Sequence, residues 1–320
     1  MKKIIYYNPA ISSMNKGDEI IEESCKKYLA EVVDKNSFIV EICTHLPLLN
    51  YYLRWIGEPD ISFVLGSNLL GGKMDRIVKQ WFLLPHNTKQ LKNIVLMGVG
   101  WRVYNEKPNF YTKRLYKKLF SNGFVHSVRD EYTKSILNSI GITNVINTGC
   151  PTMWSLTKEH CARIPCKKSD AVIFTLTDYS KNKERDISLI NTLRHNYKKI
   201  YFWVQGVKDE SYLKTLSPNC EDITIIPPKL DSFSRVLKSV DCDYVGTRLH
   251  AGIKAMQCGR RSIIIAIDNR ALELERDYNI VCIHADEMDK LDLKIKSEFS
   301  TDIRINEDNI KTWLAQFNKL

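Results

Sequence analysis

The sequence predicts an α/β protein built from two Rossmann-like domains. Short apolar runs alternate with stretches of helical periodicity along most of the chain. The alternation dissolves into a charged, proline-containing stretch over residues 157–170 and restarts beyond it. A strand, a helix and another strand return the chain to the same end of a sheet, so both halves should hold largely parallel sheets. Each half is long enough to bury its own core, and we divide the chain into 1–157 and 158–320.

The elements follow in order. Residues 4–7 read as a strand, followed by a loop and a helix from about Asp18 with Ile20, Ile21, Cys25 and Leu29 on one stripe. Residues 38–42, 61–65 and 94–97 are further short strands, and 110–120 form a basic helical segment. Residues 124–128 read as a strand, 130–139 as a helix ending at Gly141, and 142–146 lead to Thr148-Gly149-Cys150-Pro151. In the second half, strands are predicted at 171–176, 200–204, 223–226, 244–245 and 262–267. A helix covers 186–196, and another, capped at Asp231, places Phe233, Val236, Leu237 and Val240 on one face. The final helix, from about Glu307, carries Ile310, Trp313, Leu314 and Phe317 at core-facing spacing.

Composition narrows the class. Hydrophobic content of 44% and charged content of 26% are those of a soluble globular chain. The formal charge of +10 favours an anionic partner, whether a phosphorylated metabolite, an acidic lipid surface or nucleic acid. Nine cysteines without C-x-x-C spacing suggest neither a disulfide framework nor a zinc ribbon, and reduced thiols suit a cytosolic compartment. The apolar run that opens the chain ends at Asn8-Pro9, too early for a signal peptide. No stretch approaches ~18 uninterrupted apolar residues, so any membrane contact is expected to be peripheral.

In open α/β sheets, ligands collect where strands run out into helices. Four such loops carry unusual residues. In the first, Tyr244-Val245 ends a strand, Gly246-Thr247 turns, and a helix begins at about Arg248. Leu249, Ile253 and Met256 share its buried face, which leaves His250, Lys254 and Gln257 together on a polar one. His250 then sits in a first helical turn, where free N–H groups and the helix dipole favour an anion and lower the imidazole pKa. It is a candidate proton carrier near neutrality. Arg248 offers a planar fork to a carboxylate or phosphate. The plainer alternative is a capping Thr247, a surface Arg248 and a hydrogen-bonded His250.

Ser127-Val128-Arg129-Asp130 repeats the pattern. Arg129 is a second candidate anion clamp, or is simply solvated or paired with a neighbouring acid. Asn15-Lys16-Gly17-Asp18 opens the first helix, with Asp18 a natural cap and Asn15 and Gly17 suited to a turn that approaches a ligand. The loop Leu65-Gly66-Ser67-Asn68-Leu69-Leu70-Gly71-Gly72 matches neither a dinucleotide fingerprint nor a P-loop. Gly98-Val99-Gly100 is weaker still. The remaining histidines lack metal-ligand spacing and no carboxylate pair is placed as a glycosidase couple, so neither metal nor cofactor is expected.

Taken together and in this order, these residues resemble the polysaccharide pyruvyl transferase family. The most specific part is Gly246-Thr247-Arg248-Leu249-His250-Ala251 with Ile253, Ala255, Gly259 and a following strand that ends at Asp268. Ser127-Val128-Arg129-Asp130 with Leu137, Gly141, Gly149 and Pro151 adds a second match; Asn15, Gly17 and Asp18 a third; Gly71-Gly72 a fourth. Two positions depart: Cys150 stands where an acid is commoner, and Arg260-Arg261 where a proline is common after the glycine. Both departures are expected on the acceptor side.

The resemblance implies a glycosyltransferase-B-like fold whose two domains face a cleft, with the Arg129 and Arg248 loops turned towards it. It implies transfer of pyruvate from phosphoenolpyruvate to sugar hydroxyls of a cell-surface polysaccharide or its lipid-linked precursor, giving a cyclic ketal. His250 would be catalytic; Arg248, Arg129, Leu249 and Thr247 would hold the donor; and Asn15, Gly17, Asp18, Gly71 and Gly72 would line substrate loops. The expected setting is the cytoplasm or the inner face of the membrane, with no nucleic acid partner. Two rivals remain: a nucleotide-sugar glycosyltransferase of the same fold, with a basic clamp for the diphosphate, and a non-enzymatic binder of anions or glycans, which keeps the arginines without needing His250.

Overall fold

The computed structural model describes residues 1–47, 57–76, 80–83 and 91–317. The chain divides into two units, one comprising Met1–Ser13, Ile21–Trp154 and Asn306–Leu320, the other Met14–Ile20 and Ser155–Ile305. In the first unit, β1 (Lys3–Asn8), β2 (Phe38–Cys43), β3 (Ile61–Leu65) and β4 (Ile94–Met97) form a parallel sheet in the order β2-β1-β3-β4. β3 and β4 are buried along their whole length, as continuous apolar strands covered on both faces should be. β5 (His126–Val128) and β6 (Val145–Asn147) pair in parallel beside them. They hang on the chain leaving β4, where the Gly98 N–H donates to the Ser127 carbonyl at 3.0 Å and Val99 bridges Val128. Gly98 has φ +64°, and a Cβ there would lie 2.2 Å from the Pro151 ring, so no other residue fits this hook.

The second unit holds one six-stranded parallel sheet, ordered β12-β11-β10-β7-β8-β9. Its strands are β7 (Ala171–Thr175), β8 (Lys199–Trp203), β9 (Ile223–Ile226), β10 (Cys242–Gly246), β11 (Ser262–Ala266) and β12 (Cys282–His284). The chain winds outwards from β7 to β9, then returns to lay β10 on the other side of β7. That reversal makes the β7/β10 boundary the topological switch point, where two adjacent strand exits diverge and leave room for a ligand. Below it, Val172, Phe174, Phe202, Val245, Ile263 and Ile265 form the middle of the core.

Several expectations change. The division at 157/158 predicts a second domain that runs to residue 320, yet the last helix, Glu307–Ala315, belongs with the first unit. Trp313 packs edge-on against Phe63 and Trp154, and Gln316 exchanges two hydrogen bonds with the Val125 backbone. Periodicity in sequence tells which face of a helix is buried, not which core receives it. The first helix, Lys16–Val32, starts before Asp18, and the Asn15 side chain accepts from the Gly17 N–H at 3.1 Å, so Asp18 lies inside the first turn and is not the cap. A short helix, Lys158–Cys161, capped by Thr157, occupies part of the aperiodic stretch.

The two departures from the family pattern are internal. Arg261 is buried, donating to Asp243 at 2.8 Å and to the carbonyls of Lys294, Ile295 and Ser297. Arg260 donates to the Leu237 carbonyl and Asp241. Cys150 is buried and accepts from the Thr152 hydroxyl at 3.0 Å. The contacts described for Arg260 and Arg261 lie inside the second unit, and the one described for Cys150 lies inside the first. Arg261 ties β11 to the end of the helix Leu291–Lys296.

Candidate active site

The site is built from the exits of β7, β8 and β10. Gly246 ends β10, and a Cβ there would lie 2.7 Å from the Thr175 backbone nitrogen, so glycine lets the two strand exits run side by side. The Thr247 N–H then donates to the Thr175 carbonyl at 3.2 Å, and its hydroxyl meets that of Thr177 at 2.8 Å. The Tyr244 hydroxyl reaches across to the Arg248 carbonyl at 2.8 Å and to the Thr175 hydroxyl at 2.6 Å. These bonds fix the approach to the helix Leu249–Gln257, whose N-cap is Arg248, a side chain that cannot accept from the first-turn N–H groups.

Arg248 is buried and braced. Its Nε donates to the Leu176 carbonyl at 3.0 Å, and its Nη2 donates to Asp178 at 3.0 Å and to Asp209 at 2.5 Å. Tyr179 lies over the guanidinium, 4.9 Å from ring centroid to Cζ. Gly206 is required on the other side, since a Cβ there would lie 2.3 Å from Nη2. Asp209 is in turn held by the N–H groups of Gly206 at 2.7 Å and Asp178 at 3.1 Å. Burial raises the Asp209 pKa, and the Arg248 charge and these hydrogen bonds oppose the rise. Arg248 is therefore not an open fork. Among the described residues, Nη1 is the guanidinium nitrogen that meets no acceptor.

The helix beyond it also differs from expectation. Leu249 to Met256 are all buried, His250 and Lys254 included, and Gln257 is half-buried. The supposed polar face is enclosed rather than solvated. His250 occupies the first turn, as its spacing from the turn at Gly246-Thr247 required. The N-terminal loop joins the same region of this unit: Asn15 bridges Gly206, its side chain accepts from the Gln205 amide at 2.8 Å, and the Lys16 N–H donates to the Gln205 carbonyl. A Cβ on Gly17 would lie 2.7 Å from the Gln205 amide nitrogen.

Arg129 sits in the first unit with a similar construction. It is buried, and its Nε and Nη2 donate to Asp130 at 3.1 and 3.0 Å, while Nη1 donates to Asn68. Gly100 provides the wall, since a Cβ there would lie 2.4 Å from the guanidinium carbon. The plainer reading, an arginine paired with a neighbouring acid, describes what Arg129 does within this unit. Asp130 also caps the helix Glu131–Ser139 through Thr133. In the loop after β3, Tyr116 clamps Gly71 through both its N–H and its carbonyl, and the Gly72 N–H donates to Glu106 at 3.1 Å. Asp178, Gly206, Asp209 and Tyr244 were not singled out in sequence. The available signal was a glycine in the β8 exit followed three residues later by an acid, Gly206 and Asp209.

Two Rossmann-like α/β units, with a braced arginine and a histidine at a strand exit, define a glycosyltransferase-B-like protein. Similar solved structures agree on the fold. The UDP-GlcNAc 2-epimerase of Methanocaldococcus jannaschii, in complex with UDP-GlcNAc and UDP, is 14% identical over 98% of both chains with a TM-score of 0.55. That of Neisseria meningitidis, bound to UDP-GlcNAc, is 12% identical over 100% of this chain and 93% of the other, with a TM-score of 0.52. At such identities the likeness is one of fold alone. No curated protein matches the sequence. Residues 15–269 match the family described as polysaccharide pyruvyl transferase, and the chain belongs to that family.

Proposed function

We propose that this protein transfers the pyruvyl group of phosphoenolpyruvate onto two hydroxyls of a saccharide, forming a cyclic ketal and releasing phosphate. The observation that supports this most directly is the family match over residues 15–269, which spans the exits of β7, β8 and β10 and the Arg248–His250 turn. The reaction gives the local chemistry specific work. The enol C3 of the donor must gain a proton as a sugar oxygen bonds to C2, and that hydroxyl must lose its proton. A second hydroxyl then displaces phosphate from C2, closing the ring. His250 is the group we assign to proton transfer, being an imidazole in the first turn of the helix Leu249–Gln257.

The donor is a small trianion. The N–H groups of that turn and the Nη1 edge of Arg248 are the proposed contacts for it, since the N-cap residue, Arg248, has no side-chain acceptor to offer them. Asp178 and Asp209 hold the guanidinium in one plane, which spares the donor the entropy of ordering it. They also add negative charge, which the guanidinium between them offsets in part. The acceptor is a polysaccharide unit or its lipid-linked precursor, met on the cytoplasmic side. A nucleotide-sugar transferase would share the fold, but the likeness to the epimerases extends to architecture only.

Phosphate release tests the proposal. With a panel of bacterial-type saccharides, phosphoenolpyruvate should support it and nucleotide sugars should not release nucleotide. His250→Ala should lower turnover by about 10²–10⁴-fold with donor affinity nearly unchanged. Full turnover in that variant, or nucleotide release in place of phosphate, would sink the assignment.

A further inference from the structure

The helix Phe110–Phe120 has a surface unlike that of the other helices. Its buried face is Thr112, Leu115, Tyr116, Leu119 and Phe120. On a 3.6-residue wheel, all that remains outward is Phe110, Lys113, Arg114, Lys117 and Lys118, each exposed, with half-buried Tyr111 at the margin. The helix contains no Asp or Glu. Elsewhere a helical cation is typically paired with an acid one turn away on the same helix: Lys214 with Glu210, Arg235 with Asp231, Lys296 with Asp292, Lys311 with Glu307. Here Lys113, Arg114 and Lys117 meet no carboxylate among the described residues. Asp75 is the acid tied to this helix, through the Asn109 cap, and it pairs with none of the three.

Local structure explains part of this pattern. Lys117 and Lys118 lie in the last turn, where the helix dipole favours cations. Lys113 and Arg114 lie mid-helix, where it does not. Phe110, 80% exposed, stands at the N-terminal end of the cationic stripe, on the same side of the helix, and buries no core surface.

We propose that this face docks the protein on an anionic phospholipid surface, with the cations at the headgroups and Phe110 entering the boundary with the acyl chains. Lys113, Arg114 and Lys117, gathered within about a turn and a half of helix, match the charge of such a surface, and an aromatic side chain at the head of their stripe suits its depth. A convex helix offers no groove in which to follow a nucleic acid backbone. None of the described helices is long and apolar enough to cross a membrane. The inference is independent of the donor and of the reaction.

The test uses the full chain with vesicles of phosphatidylcholine alone and of phosphatidylcholine mixed with phosphatidylglycerol. Sedimentation should show binding to the mixed vesicles only, reversed by added salt. Each cation near such a surface is worth about fivefold in affinity, so Lys113→Gln, Arg114→Gln and Lys117→Gln combined should weaken binding on the order of a hundredfold. Phe110→Ser should weaken it several-fold more. These side chains are exposed, so melting temperature and phosphate release with a soluble saccharide should be unchanged. Equal binding to neutral vesicles, wild-type binding by the triple variant, or capture of a single-stranded RNA oligonucleotide with no vesicle binding would each overturn the proposal.

Discussion

Arg248 shows how far a residue's meaning depends on partners that a motif does not contain. Its place before His250 is visible in sequence, but the acids that hold it come from other strand exits, 70 residues away at Asp178 and 39 at Asp209. Linear spacing cannot register such partners. The bracing changes what mutation should do. An open clamp would lose donor affinity alone on Arg248→Lys. A braced one also loses the Nε bond to Leu176 and the fork that spans Asp178 and Asp209, leaving two carboxylates facing one ammonium. We expect Arg248→Lys to weaken donor binding and to cost about 2 kcal/mol of stability. Asp209→Asn should reproduce the stability loss and lower turnover through Arg248, which it positions. Thermal unfolding and donor titration on the two variants check this. If Arg248→Lys melts like wild type, the brace has no structural weight.

Strands were the most legible elements, because the buried strands of a parallel sheet are continuous apolar runs; β7, β10 and β11 are buried throughout. Burial of polar residues was less legible. The spacing places His250 and Lys254 on a polar face, and the structure shows the helix that carries them enclosed; residue type records chemistry and not surroundings. His126 is a further case, a histidine in the middle of the core on β5. Its Nδ1 accepts from the Leu96 N–H at 3.3 Å and its Nε2–H donates to the Phe120 carbonyl at 2.8 Å. Burial pushes its pKa down to about 4, against an ordinary value of 6.5. The folded state therefore binds fewer protons than the unfolded state between those values. Its neutral burial is without penalty above the unfolded pKa, and stability falls as pH drops towards the folded one. The loss amounts to roughly 3 kcal/mol by about pH 4. His126→Gln keeps an acceptor and a donor but does not titrate, so it should flatten this part of the profile. Urea unfolding of both proteins at about pH 7 and about pH 4.5 compares the slopes. Equal acid sensitivity would show that other groups govern it.

At the scale of the whole molecule, sequence conveyed two α/β halves but not how the chain is shared between them. The segment Met14–Ile20 belongs to the second unit and Asn306–Leu320 to the first, and neither exchange leaves a local mark. The last helix makes the point testable. Trp313 is fully buried against Phe63, Trp154 and Phe317, and Asn309 donates to the Asn147 carbonyl of β6 at 2.8 Å. Among the described residues the Trp313 indole N–H meets no acceptor, so its contribution is packing rather than hydrogen bonding. Trp313→Ala should open a large cavity and cost about 3–5 kcal/mol. Because every one of these contacts is to the first unit, the loss should be confined there. Amide exchange should accelerate in β1, β3 and β4 while the protected core of β7, β10 and β11 keeps its wild-type rates. Trp313→Phe, which removes the unsatisfied N–H and less volume, should lose markedly less. Equal acceleration in both sheets would mean that the last helix supports the two units together and that its assignment to the first is wrong.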